Sequence, residues 1–217
     1  MKRTYGSVGV FLLVCTGCAQ TVTINVSGTS KSSDPIPQHV TYTVMPTNEV
    51  EKDSAFPDYA KFVSNKMDAR GYKKTTDKTA QLGVYLAYAS TAAATTTTTA
   101  VGAPMPPMNV GGGMGPSGSG GGGSYGMAAS TPSESTSMRH YKNQLVIVVL
   151  DLQKSRETGA TVELWRGETM NTSSSNDLAQ LAPLMVDAAF RHFGETTSSS
   201  VSHQFTDEDN KKLRESQ

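Results

Sequence analysis

Apolar positions along this chain change period several times, and those changes divide it into elements. The strongest pattern is residues 144–167, QLVIVVLDLQKSRETGATVELWRG, where two β-branched runs, 145–152 and 162–165, flank a polar connection ending in Gly159. That is the composition of an antiparallel hairpin inside a sheet. Upstream, residues 39–45 alternate, with Val40, Tyr42 and Val44 on one face until Pro46 stops them, and read as a first strand. Residues 53–58 then supply a capping residue, a proline suited to a first helical turn and an acid at the positive end of a helix dipole. Tyr59, Phe62, Val63, Lys66, Met67 and Arg70 follow at helical spacing, and Gly71 stands where a left-handed cap would end the helix. Leu82, Val84 and Leu86 alternate within residues 81–90, a second strand. After the hairpin, Leu178, Leu181, Met185, Ala189 and then His192 or Phe193 share one face of a second helix over 177–193. Pro183 sits either in its first turn or at a kink, and Gly194 ends it.

The other segments carry no comparable period. Residues 18–38 are Ser/Thr-rich, with Pro35 and Pro37, and read as a tether. Within the tether Val22, Ile24 and Val26 alternate with Thr21, Thr23 and Asn25, a pattern that leaves room for a short strand there, outside the domain proper. Residues 91–137 hold a threonine homopolymer at 95–99 and, at 111–126, half of the chain's 20 glycines, a composition that predicts a flexible insertion in a strand connection. Residues 195–217 form a polar tail with a short charged helix at 207–214. The expected architecture is one α+β domain over 39–194. It has a small antiparallel sheet of about four strands in β-α-β-β-β-α order, two helices on one face, and a long disordered Gly-rich insertion at 91–137.

Composition supports a single small domain. Only 36% of the 217 residues are hydrophobic, too few to order the whole length against its conformational entropy. Basic and acidic residues balance at 19 each, without a long single-sign block, so nothing steers the chain toward nucleic acid or an anionic surface. The 2 cysteines, Cys15 and Cys18, both lie at the N-terminus, which excludes a disulfide framework or thiolate metal site in the folded part.

That N-terminus is an address. Lys2 and Arg3 precede a short apolar core at 8–14, too short to span a bilayer as a mature helix. The following Cys15-Thr16-Gly17-Cys18 resembles the bacterial lipoprotein box, with small residues before the cysteine that is acylated after cleavage. The reading is a signal peptide at 1–17 and a lipid anchor on Cys18; the rival is an ordinary signal peptide cut near Ala19. Several acyl chains on one cysteine give anchoring that a single chain cannot. Ala19 rather than Asp after the cysteine resembles the pattern for release to the outer membrane, facing the periplasm.

Three stretches resemble the bacterial envelope lipoprotein family known as domain of unknown function 4136. Tyr59-Ala60-Lys61-Phe62 with Met67-Asp68-Ala69-Arg70-Gly71-Tyr72 is similar to the family's helix and its Lys-Gly-Tyr-type turn; residues 145–152 resemble its hydrophobic strand; Leu164-Trp165-Arg166-Gly167 resembles its Trp-Arg-Gly strand. The resemblance implies an exported α+β domain and no catalytic activity.

Candidate chemistry is sparse. Residues 122–126 satisfy G-x-S-x-G, and Gly118, Gly120 and Gly123 satisfy G-x-G-x-x-G, but neither has the flanking strand and helix that such loops need. His39, His140, His192 and His203 show no chelating spacing, so no metal is expected, and no cofactor motif is present. Trp165 and Arg166 are residue types that anchor ligands or partners, although alternation puts Trp165 opposite Leu164 and Arg166, and packing against a helix is the plainer role for a lone Trp. Arg166 is expected to be solvated. Two functions remain. One is a non-enzymatic, lipid-anchored envelope protein that binds an envelope protein or glycan through its open sheet or the insertion. The other is a small envelope hydrolase or transferase that uses the insertion as a lid, with Asp151, Glu157, Glu163 and Glu168 as its only nearby acids.

Overall fold

A computed structural model describes residues 21–32, 35–76, 79–99 and 135–215. The leader at 1–17, Cys18, the flanking Ala19 and Gln20, and residues 100–134 of the glycine-rich tract lie outside them. In chain order the elements are β1 (Thr21–Ser30), β2 (Thr41–Pro46), α1 (Phe56–Asp68), β3 (Lys73–Lys74), β4 (Leu82–Thr99), β5 (Ser135–Asp151), α2 (Leu152–Thr158), β6 (Glu163–Ser173), α3 (Leu178–Arg191), β7 (Val201–Thr206) and α4 (Asp207–Glu215). The strands make one seven-stranded sheet in the order β3-β2-β4-β5-β6-β1-β7.

The expected antiparallel sheet of four strands is therefore corrected in number and in direction. β2 runs parallel to both β3 and β4, because α1 carries the chain back between them, and parallel neighbours need a crossover of that kind. β1 arises inside the stretch assigned to a tether. Its Ile24 and Val26 are fully buried, and it lies between β6 and β7. The stretch assigned to a polar tail supplies, before the short charged helix expected there, now α4, the strand β7, whose Phe205 is 1% exposed. β4 and β5 run on to Thr99 and from Ser135, paired throughout except for a bulge between Ala92 and Ala94, so the outer parts of the expected insertion are strand. Threonine is β-branched and suits a ladder once a partner strand is present. The polar connection after β5 holds the short helix α2, whose N-cap is Asp151 and whose C-cap is Gly159 at φ 72°.

Helices α1 and α3 lie side by side on one face of the sheet, over a core that includes Ile24, Val26, Tyr42, Val84, Leu86, Ile147, Val149 and Trp165. Burying a side chain of the Leu or Ile class contributes roughly 1.5–3 kcal/mol, so this layer holds the domain together. α1 begins with Pro57 in its first turn, and Gly71 follows its end at φ 85°. A Lys66–Asp187 ion pair joins α1 to α3, and the Arg70 guanidinium lies 5.0 Å from the Phe190 ring centre.

α3 starts at Leu178, capped by Asp177, and keeps Pro183 within it. A proline lacks the N–H that would bond the carbonyl four residues back, here Ala179. Arg214 of α4 donates to that carbonyl at 2.9 Å, and Asn210 donates to the next one, Gln180, at 3.1 Å. Thus α4 satisfies the backbone that Pro183 leaves open.

Candidate functional site

Among the described residues no helix is laid across the second face of the sheet, so whatever the protein presents there is set by strand alternation. Cross-strand pairing places Met45, Tyr85, Val148, Arg166 and Thr29 in one row. The next row is Ala87, Val146, Glu168 and Ser27, and the one after is Ala89, Gln144, Met170, Asn25 and Ser202. Tyr85, Val146, Val148 and Leu150 are half-buried, which leaves an apolar stripe over β4 and β5 beside a polar half over β6, β1 and β7. Two shallow grooves flank Gln144. One, of about 370 Å³, is lined by Asn25, Ser27, Glu168, Met170 and Ser202; the other, of about 180 Å³, by Glu49, Ala87, Ala89 and Val146.

Arg166 is the cation beside the apolar stripe. Its Nε and Nη2 donate to the two Glu163 oxygens at 3.1 and 3.0 Å, and Glu168 stands at 4.0 Å. Donation to the Glu163 carboxylate pushes the Arg166 pKa up, so the side chain stays charged and held in one place. The expectation of a solvated Arg166 holds only in part, because its side chain is 38% exposed and already paired.

Trp165 is out of reach of a partner. Strand alternation makes this so: Trp165 lies in the row of Val149 and Val84, under the helices, and a bulge just before it in the chain, where Leu150 pairs with Glu163, turns the extra residue, Leu164, inward as well. Leu164 and Trp165 are 2% and 0% exposed, so simple alternation fails between them. The indole lies over Gly167, where a Cβ would stand 2.2 Å from the ring, and donates from Nε1 to the Glu195 carbonyl at 3.2 Å. Gly28, paired with Gly167 in register, extends this floor. The same bulge puts Glu163 and Arg166 on one face, which a strict period of two would forbid.

The acids near the hairpin do not assemble. Asp151 is buried and accepts from the Lys154 N–H as a helix cap, Glu157 accepts from Gln153, and Glu163 and Glu168 serve Arg166. Two of the four histidines do meet, which their spacing did not reveal: His192 Nε2 stands 2.9 Å from His203 Nε2 where β7 returns beside α3. Among the described residues no set of three or more His, Cys, Asp and Glu converges as metal ligands would. A third recess of about 520 Å³, at the sheet end near Thr21, is lined by Thr23, Asn171, Ser173, Asp177, Gln180 and Asn210. Several of these polar groups already serve one another: Asn171 donates to the Thr23 carbonyl and Asn210 to that of Gln180. Cys18, the expected acylation site, lies outside the described residues.

The domain's strand, helix and Trp-Arg-Gly order matches the family described as domain of unknown function (DUF4136) over residues 30–193. The chain belongs to the DUF4136 family. This DUF4136 domain shows no match to a protein of curated function. Among solved structures it is similar to a PDZ domain protein from Parabacteroides distasonis, with 12% identity and a TM-score of 0.48 over 85% of this chain and 39% of that one. The match thus spans about two fifths of that protein's length. It is also similar to PelC from Paraburkholderia phytofirmans, solved as a dodecamer, with 13% identity and a TM-score of 0.39 over 76% of this chain and 93% of that one.

Proposed function

We propose that this DUF4136 protein is a non-catalytic lipoprotein of the bacterial envelope, anchored through Cys18, that holds a protein partner on its uncovered sheet face. The observation that carries the reading is the half-buried stripe of Tyr85, Val146, Val148 and Leu150 beside the fixed Arg166. An apolar strip next to an oriented, charged arginine is the composition of a binding surface's centre. Its flatness suits a protein surface rather than a small ligand, which prefers a concave site. The anchor reading rests on the Lys2, Arg3 and Cys15-Thr16-Gly17-Cys18 pattern, and Ala19 supports an outer-membrane destination.

The test is a photo-crosslinking residue placed at Val148 in cells, with a second at Glu157 on α2 as the control. A discrete adduct at 148 that is missing at 157, and that a Val146→Asp substitution removes, is the expected result. Identical patterns from the two positions would reject the partner face. Acyl labelling of the protein and of its Cys18→Ala variant checks the anchor separately; label retained in the variant would reject it.

A further inference from the structure

The pairing registers fix which end of the sheet faces the anchor. β1 begins at Thr21, three residues after Cys18 in sequence, and three residues reach at most about 11 Å when extended. β1 is antiparallel to β6 and β6 to β5, with Asn25 opposite Met170 and Tyr141 opposite Ser173. The start of β1 is therefore level with the His140 region of β5. β4 and β5 do not stop there. They continue as a two-stranded arm from the Ala94–His140 pair to the Thr99–Ser135 pair, beyond the last residue of β6. At roughly 3.3 Å per residue this arm projects about 17 Å past the level of Thr21. Anchor and arm thus leave the same end of the domain and reach comparable distances.

The arm's side chains suit what it would meet there. Met138 is 58% exposed, the large hydrophobic residue most open to solvent among the described ones. Arg139 is exposed beside it, and Tyr141 and Lys142 follow, half-buried at the arm's base. β4 carries no charged residue from Leu82 to Thr99. An exposed methionine part-way along the arm, a tyrosine and two cations in five residues match the chemistry of a bilayer interface, where aromatic rings sit among headgroups and Lys or Arg reach phosphates. The acids at this end are Asp177, which caps α3, and Asp207, Glu208 and Asp209 in the first turn of α4. Asp207 follows β7, three strands from β5, and the arm projects beyond it. A two-stranded ribbon is marginal in water, so a surface to lean on would also stabilise it.

We infer that the β4–β5 arm rests on the membrane beside the anchor, with Met138 and Tyr141 in the interface and Arg139 and Lys142 on lipid phosphates. This rests on the anchor reading but is independent of the partner face. It makes the arm a second membrane contact that fixes the domain's orientation, so that the sheet face stands beside the bilayer rather than tumbling on a leash.

The test uses the full chain, processed in cells and reconstituted in vesicles of phosphatidylethanolamine and phosphatidylglycerol. Met138→Cys carries an environment-sensitive fluorophore, and Glu157→Cys at the opposite end of the hairpin is the control. Acyl-labelled protein should show quenching by brominated lipid at 138 and none at 157, and Arg139→Glu with Lys142→Glu should bring the signal at 138 down to that of 157. Acyl-labelled protein with equal quenching at both positions overturns the arm contact and leaves the anchor standing. Protein without acyl label overturns both.

Discussion

Trp165 is the largest fully buried side chain among the described residues. It is fully buried, it lies on Gly167, and its N–H reaches the chain just past α3 at Glu195. A Gly167→Ala methyl would enter the indole ring, and neither the paired backbone of β6 nor the packed ring, 5.1 Å from Phe193, can give way. Overpacking of this kind costs about 1–3 kcal/mol, so thermal unfolding should show a clearly lowered midpoint, whereas Gly159→Ala, where a Cβ meets nothing and only the positive φ is strained, should cost less. A second residue-scale prediction concerns His203. Burial first, then Arg191 and His192, push its pKa below the usual 6.5, while Asp187 opposes them. The folded state thus favours neutral His203, and the unfolded chain takes up the proton first as pH falls. Stability should therefore decline with acidification from about pH 6.5 downward, and His203→Gln should flatten that slope in denaturant titrations across pH 5–7.

At the scale of elements, the pattern of the chain disclosed some things and hid others for identifiable reasons. α1, α3 and the β5–β6 pair announce themselves through long apolar runs at one period. β1 does not, because Val22, Ile24 and Val26 are a short alternation in a Ser/Thr background, and only the flanking β6 and β7 make it a strand. β7 contributes one large buried side chain, Phe205, and α4 none, so neither carries an apolar face that a sequence can show. The length of β4 was hidden by a threonine run that reads as low complexity until β5 is set against it. The bulge at Leu164 leaves no trace in composition, yet it decides that Leu164 is buried beside Trp165 and that Glu163 shares the face of Arg166. Likewise the meeting of His192 and His203 depends on β7's return, not on their spacing. The prediction at this scale separates strand from tether: Ile24→Ala should cost about 2–5 kcal/mol of unfolding free energy, as a fully buried core residue does, and a tether residue would cost nothing measurable.

For the whole molecule, incorporating β1 and β7 changes what the anchor does. A leash of some twenty residues, as read from composition, becomes the pair Ala19 and Gln20 between Cys18 and the sheet, so a lipidated protein would sit against the bilayer. Helices α1 and α3 close one face of the sheet; among the described residues the other is touched only at its end, by Leu152 of α2 over Gly83, and keeps its apolar stripe over the central strands and its ion pair at one side. The exposed edge strand β3 is two residues long, and both are lysines, which discourages edge-to-edge pairing. Contact is thereby directed to the open face. The measurement that bears most directly on this account is alkylation of a Val148→Cys thiol in intact envelopes and in the purified protein, with Glu157→Cys as the reference. If a partner covers the open face, the 148 thiol reacts several-fold more slowly in the envelope while the 157 thiol is unchanged; equal rates for the 148 thiol in both settings would contradict it.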